Sequence, residues 1–163
     1  MINYDLRVIR AAIFDVDGVL SCQTVNIAPD GQLIRTANVR DGYAIKKALK
    51  AGLHIAIITG GDNESVRLRY ERLGITDIFM GCKDKLVVYE ALKQRYHFTD
   101  AEILYMGDDL PDLPILRQAG CPCCPADACF DVKAASIYIS QLPGGGGCCR
   151  DVLEQVIRTK LAI

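Results

Sequence analysis

The chain of 163 residues has no tryptophan and only two histidines, His54 and His97. A Cys/His zinc site therefore has little to draw on, and Cys121-Pro-Cys123-Cys124 is matched by no second ligand pair. No apolar run approaches the roughly 20 residues that span a bilayer, so no membrane segment is expected. Lys and Arg number 19 against 20 Asp and Glu, a net charge of −1. That balance removes the electrostatic case for nucleic acid or an acidic membrane as partner. A phosphate-cradling G-x-x-x-x-G-K-[ST] loop is missing as well, which argues against nucleotide binding. Met1 to Arg7 shows no cationic stretch leading into an apolar core, so a cytoplasmic location is expected. On that footing the eight cysteines read as small apolar core residues rather than as a disulfide framework. Internal repeats, low-complexity tracts and linkers are also missing, and the length suits one domain over residues 1–163 with a real core.

What is present is a series of apolar runs that end in polar residues. Residues 8–20, V-I-R-A-A-I-F-D-V-D-G-V-L, read as a buried parallel strand ending in Asp15 and Asp17, with Gly18 allowing a sharp turn. Residues 21–40 differ from the rest: Pro29-Asp30-Gly31 separates two short extended runs, which predicts a β-hairpin. Asp41 is placed to cap a helix running to about Lys50, with Gly52 ending it. A strand over residues 53–58 ends in Thr59-Gly60-Gly61, and a helix is expected from Asp62 to about Leu73. A short strand near residues 78–80 leads to Lys85 and a helix to Tyr96. Thr99 to Glu102 is read as a turn. Ile103 to Met106 is a strand ending in Gly107-Asp108-Asp109, with a helix expected over residues 111–119. Two further short strands, near 121–125 and 136–139, flank a helix over 127–134, and a last helix follows Gly147. The alternation predicts an α/β fold, a Rossmann-like parallel sheet with helices on both faces.

Parallel strands place their carboxyl ends at one edge, so Asp15, Asp17, Thr59, Asp108, Asp109 and Asp112 should meet there, with Lys85 close by. Carboxylates so gathered call for a cation, and oxygen ligands without paired His or Cys point to Mg2+. The hydroxyl of Thr59 and the ammonium of Lys85 suit phosphate oxygens, and an aspartate can act as nucleophile through an aspartyl-phosphate.

The ordered set D-V-D-G-V at 15–19, T-G at 59–60, Lys85, and G-D-D-x-x-D at 107–112 resembles the haloacid dehalogenase superfamily of phosphohydrolases. The resemblance implies Asp15 as nucleophile and Asp17 as general acid and base. It implies Asp15, the backbone carbonyl of Asp17, and Asp108 as Mg2+ ligands. Thr59, Gly60 and Lys85 would bind the phosphoryl group, with Asp109 or Asp112 holding Lys85. The 20-residue hairpin insertion is too small for the cap domain many members carry. N-V-R-D-G-Y at 38–43, G-D-D-L-P-D-L-P at 107–114 and the glycine run through Asp151 are similar to the capless 3-deoxy-D-manno-octulosonate 8-phosphate phosphatase family. That likeness implies a keto-sugar acid phosphate as substrate, a place in lipopolysaccharide precursor synthesis, and Arg40 and Arg69 as substrate contacts. It also implies a homotetramer built through residues 25–37, in which a neighbouring subunit covers each site. The amides of Gly144 to Gly147, just before a helix, could line an anion site or form a flexible connector.

The chain departs from the family pattern at Ser21-Cys22-Gln23, at Gly61 where many members have arginine, and at Cys148-Cys149. Competing readings are a phosphatase for a nine-carbon analogue, a broad sugar-phosphate phosphatase, and a non-catalytic tetramerisation module. The presence of Asp15, Asp17, Thr59, Lys85 and Asp108 tells against the last.

Overall fold

A computed structural model describes residues 1–161. Its centre is a sheet of six parallel strands in the order β5-β4-β1-β6-β7-β8. These are β1 (Ala11–Phe14), β4 (His54–Ile58), β5 (Asp77–Phe79), β6 (Ile103–Met106), β7 (Cys121–Cys124) and β8 (Tyr138–Ile139). The chain fills one side of β1 with β4 and β5, then crosses back to lay β6, β7 and β8 on the other. The strand order therefore reverses at β1, and such a point opens a crevice at the carboxyl ends.

The strands are apolar throughout because both faces are covered. Ala12, Phe14, Ile55, Ile57, Leu104, Met106, Cys121 and Cys123 point to one layer, packed by α1 (Val39–Lys50), α2 (Glu64–Glu71) and α6 (Cys148–Lys160). Ala11, Ile13, Ala56, Ile58, Ile103, Tyr105 and Cys124 point to the other, packed by α3 (Lys85–Tyr96), α4 (Leu113–Leu116) and α5 (Phe130–Ala135). The period-2 alternation thus feeds two cores. Five cysteines, at 121, 123, 124, 148 and 149, are buried in them, and all eight are free. The small-apolar reading of those five is the observed one.

The hairpin is β2 (Asn26–Ile27) against β3 (Leu33–Ile34), antiparallel and apart from the main sheet. Gly31, at φ +83°, makes its turn. Ile27 and Ile34 stand exposed on it.

Several boundaries differ from the sequence reading. Val8 belongs to a 3₁₀ turn (Leu6–Val8) and not to β1. The cap of α1 is Asn38, whose Oδ1 accepts the Arg40 and Asp41 amides. Asp41 is instead buried and accepts the Arg150 amide at 2.8 Å, tying α1 to the first turn of α6. Burial pushes its carboxyl up to about 6. Thr99 to Glu102 closes into a 3₁₀ turn because Glu102 accepts from both the amide and the hydroxyl of Thr99. The helix expected from Pro111 to Ala119 is a 3₁₀ turn (Leu110–Asp112) running into the one-turn α4. Asp127 lies outside α5, where it accepts the Gly144 amide at 2.8 Å. The Gly145 amide donates to the Val19 carbonyl in the loop after β1. Those two glycine amides are thus spent on Asp127 and on that loop instead of lining an anion site. Among the described residues, no helix is long and apolar enough to cross a membrane.

Candidate active site

Sheet register carries the first carboxylate into place. Phe14 pairs with Ile57 on one side and Met106 on the other, so Asp15 emerges between the ends of β4 and β6. Its amide still donates to the Met106 carbonyl at 3.1 Å, and its Oδ1 accepts the Val16 amide at 2.7 Å. Thr59 follows β4 directly, is buried, and accepts the Gly61 amide at Oγ1, which leaves its O–H free to donate. Lys85 is the first residue of α3, whose cap is the Asp84 side chain.

Lys85 Nζ lies 2.7 Å from Asp15 Oδ2 and 2.8 Å from Asp112 Oδ1. Asp112 is fully buried, and both its oxygens are engaged. Oδ1 also accepts the Tyr105 hydroxyl at 2.6 Å, and Oδ2 accepts the amides of Asp108 at 3.0 Å and Asp109 at 3.4 Å. Asp112 therefore anchors Lys85 and the loop after β6 at once. Asp109 contributes its backbone to this arrangement.

Two glycines let these parts meet. Gly18 has φ +79°, and a Cβ there would stand 1.9 Å from Asp108 Oδ2. A Cβ on Gly107 would stand 2.3 Å from Asp112 Cγ. Side chains at either position would push the carboxylates apart.

The electrostatics are those of a site short of positive charge. Burial and the Asp112 carboxylate raise Asp15 to about 7 despite Lys85. Burial, with Asp15 and Asp112, raises Asp108 to about 7 as well. Burial works against the Lys85 ammonium, yet the two carboxylates outweigh it and hold its pKa above the ordinary lysine value. Oxygens of Asp15, Asp108 and Asp112 come within 4.8 Å of one another. Three carboxylates against one ammonium leave two negative charges, which a hard dication with oxygen ligands would neutralise. Asp112 accepts four bonds and is saturated, whereas each Asp15 oxygen accepts only one, so Asp15 and Asp108 are the side chains with lone pairs to spare.

These residues line a cavity of about 490 Å³ together with Asp17, Gly60, Gly61, Gln23, Cys82 and Lys83. Asp17 is joined to Arg35 of the hairpin by Nε–Oδ1 at 2.9 Å and Nη2–Oδ2 at 3.0 Å. Sequence reasoning missed Arg35, because 18 residues and a hairpin separate the pair and no local pattern marks it. It missed Tyr105 too, although a tyrosine inside a buried strand needs a partner for its hydroxyl. Arg40 and Arg69 lie elsewhere. Arg69 lines a cavity of about 440 Å³ beneath the hairpin, shared with Val16 and Arg35. Arg40 lines one of about 760 Å³ beside Gly146, Gly147 and Arg150.

An aspartate nucleophile candidate beside a buried lysine, at the switch point of a parallel sheet, is the arrangement of haloacid dehalogenase-type phosphatases. A Legionella pneumophila hydrolase of that superfamily superposes with a TM-score of 0.93 at 34% identity, over 96% of this chain and 86% of that one. The chain belongs to the 3-deoxy-D-manno-octulosonate 8-phosphate phosphatase family. It is 35% identical to the Escherichia coli K12 enzyme of that name over 149 residues, 91% of this chain and 79% of the relative. The Moraxella catarrhalis phosphatase, solved with magnesium, phosphate and the sugar acid, superposes with a TM-score of 0.91 at 32% identity, over 95% of this chain and 89% of that one. No protein-family model matches the chain.

Proposed function

We propose that this protein is a magnesium-dependent phosphatase that hydrolyses 3-deoxy-D-manno-octulosonate 8-phosphate to the free keto-sugar acid and phosphate, a step toward lipopolysaccharide. The observation that carries the reading is Lys85 Nζ seated between Asp15 and Asp112, with Asp108 beside them, in a chain of this family. Asp15 attacks phosphorus and becomes the aspartyl-phosphate, while Asp17 protonates the departing sugar oxygen. Asp17 then takes a proton from the water that attacks the intermediate, and Asp15 is regenerated with release of phosphate. Thr59 donates its hydroxyl to the phosphoryl oxygens, as does the Gly60 loop with its backbone, and Lys85 offsets their charge. Magnesium would be held by Asp15, Asp108 and the carbonyl of Asp17, and when bound it supplies positive charge against the phosphoryl oxygens.

We infer a single capless phosphatase domain, a homotetramer joined through residues 25–37, and a cytoplasmic location. The exposed Ile27 and Ile34 support the second, since a two-stranded ribbon is marginal unless packed. The free thiols suit a reducing compartment. Phosphate release from the eight-carbon and nine-carbon keto-sugar phosphates, side by side with magnesium, tests the function. The eight-carbon ester should be preferred, and Asp15→Asn should cut its turnover by on the order of 10³-fold or more. Equal turnover of both esters, or survival of activity in the variant, would overturn the reading.

A further inference from the structure

The Arg35–Asp17 pair has no place in the chemistry above. Its two parallel bonds occupy both oxygens of the proposed acid and base, the fork-on-fork geometry that suits guanidinium and carboxylate. The Arg35 side chain is only 9% exposed, whereas Asp17 is 41% exposed and faces the open cavity. The cation is therefore the sunken partner and the carboxylate the accessible one. To reach a leaving oxygen, Asp17 has to turn off the fork. A guanidinium left this deep without a partner is costly, so the turn is favoured only when another anion takes the place of Asp17.

The surroundings give such an anion a position. Arg35 lines the neighbouring cavity with Asn63, Ser65 and Arg69, while its partner Asp17 lines the phosphoryl cavity, so the pair bridges the two. The pair can form there because residue 61 has no side chain. A Cβ on Gly61 would lie 2.7 Å from Arg35 Nη2 and 3.4 Å from Asp17 Oδ2. The space a residue 61 side chain would fill is taken by the guanidinium arriving from the hairpin.

Resting on the phosphatase reading, we propose that Arg35 is the specificity residue that receives the substrate's carboxylate, and that this carboxylate displaces Asp17 and frees it for proton transfer. A phosphate ester bearing an acid unlocks Asp17 as it binds. A neutral sugar phosphate fills the phosphoryl site but offers Arg35 nothing in exchange.

Two measurements test this. In the first, magnesium-dependent phosphate release is followed from the eight-carbon keto-sugar acid phosphate and from ribose 5-phosphate. Arg35→Ala should lower kcat/KM for the acid ester by roughly 10²-fold while leaving the neutral ester unchanged or faster, so their ratio collapses. Gly61→Ala, which presses a methyl against the fork without touching its charge, should shrink the ratio in the same direction. Arg35→Lys keeps the charge but not the fork and should fall between wild type and Arg35→Ala. The second uses equilibrium binding of the free keto-sugar acid by calorimetry. Asp17→Asn removes the competing carboxylate and should bind the acid about 10-fold more tightly than wild type. Adding Arg35→Ala should abolish that gain. Equal loss for both esters in Arg35→Ala, or no tightening in Asp17→Asn, would show that Arg35 only positions Asp17 and would overturn the proposal. A wild-type protein that releases phosphate from neither ester would instead overturn the phosphatase reading beneath it.

Discussion

Removing divalent cations and raising the pH from 5 to 8 should destabilise the folded protein, with Asp15 carrying a large share of the loss. In the fold, burial and Asp112 raise this carboxyl to about 7, against 3.8 for an ordinary aspartate. The folded chain therefore holds a proton that the unfolded chain has already released. Wherever the folded state binds more protons, stability falls as the pH rises. The penalty grows from the unfolded value up to the folded one and is constant above it. Between pH 5 and about 7 that spans two pH units, or roughly 3 kcal/mol at about 1.4 kcal/mol per unit. For a chain of this size the loss amounts to a fall in Tm of roughly 6 to 12 °C. Calorimetric melts in EDTA at the two pH values, on wild type and Asp15→Asn, would measure it. Other groups titrate in this window, Asp41 among them at about 6, so the informative quantity is the difference between the two proteins. Asp15→Asn should lose less Tm between pH 5 and 8. At pH 8, magnesium at about 100 times its Kd should return about 2.7 kcal/mol to wild type and much less to the variant. Equal pH dependence in both proteins would refute the account of Asp15 as a buried, charge-starved carboxyl.

Two further perturbations probe the scaffold. Gly107→Ala places a methyl 2.3 Å from Asp112 Cγ, and Asp112 is pinned by Lys85 and Tyr105, so the backbone must give. Stability should fall by about 1–3 kcal/mol in a denaturant titration, with lower kcat as Asp108 moves; an unchanged midpoint would sink the close-approach argument. Replacing Ile27 and Ile34 together with Asp should convert a tetramer to monomers by light scattering, and a wild-type protein already monomeric at micromolar concentration would end the assembly proposal.

The elements easiest to read were those whose signal is local. Residues 103–106 formed the expected strand because four apolar residues between turn signals admit little else. The hairpin appeared where Pro29-Asp30-Gly31 stands between extended runs. Helix starts were less legible. Asp41 and Asn38 are both competent caps, and the choice went to Asn38 because Asp41 is drawn into the α1–α6 interface by the Arg150 amide. The helix after Pro111 was overestimated because Asp112 turns inward to Lys85 instead of continuing a surface turn.

The same division runs through the candidate site. By itself the sequence determined that Asp15, Thr59 and Asp108 would share an edge, since each directly follows or nearly follows an apolar strand and parallel pairing aligns those ends. Only the tertiary structure decided what each carboxylate does there. Asp112 became an anchor with all its lone pairs engaged, Asp15 and Asp108 were left with lone pairs to spare, and Asp17 was claimed by Arg35. Periodicity and turn chemistry act within a few residues, whereas Lys85 meets Asp112 across 27 residues and Arg35 meets Asp17 across 18. Those partnerships exist only once packing has excluded water and forced each buried charge to find an opposite one.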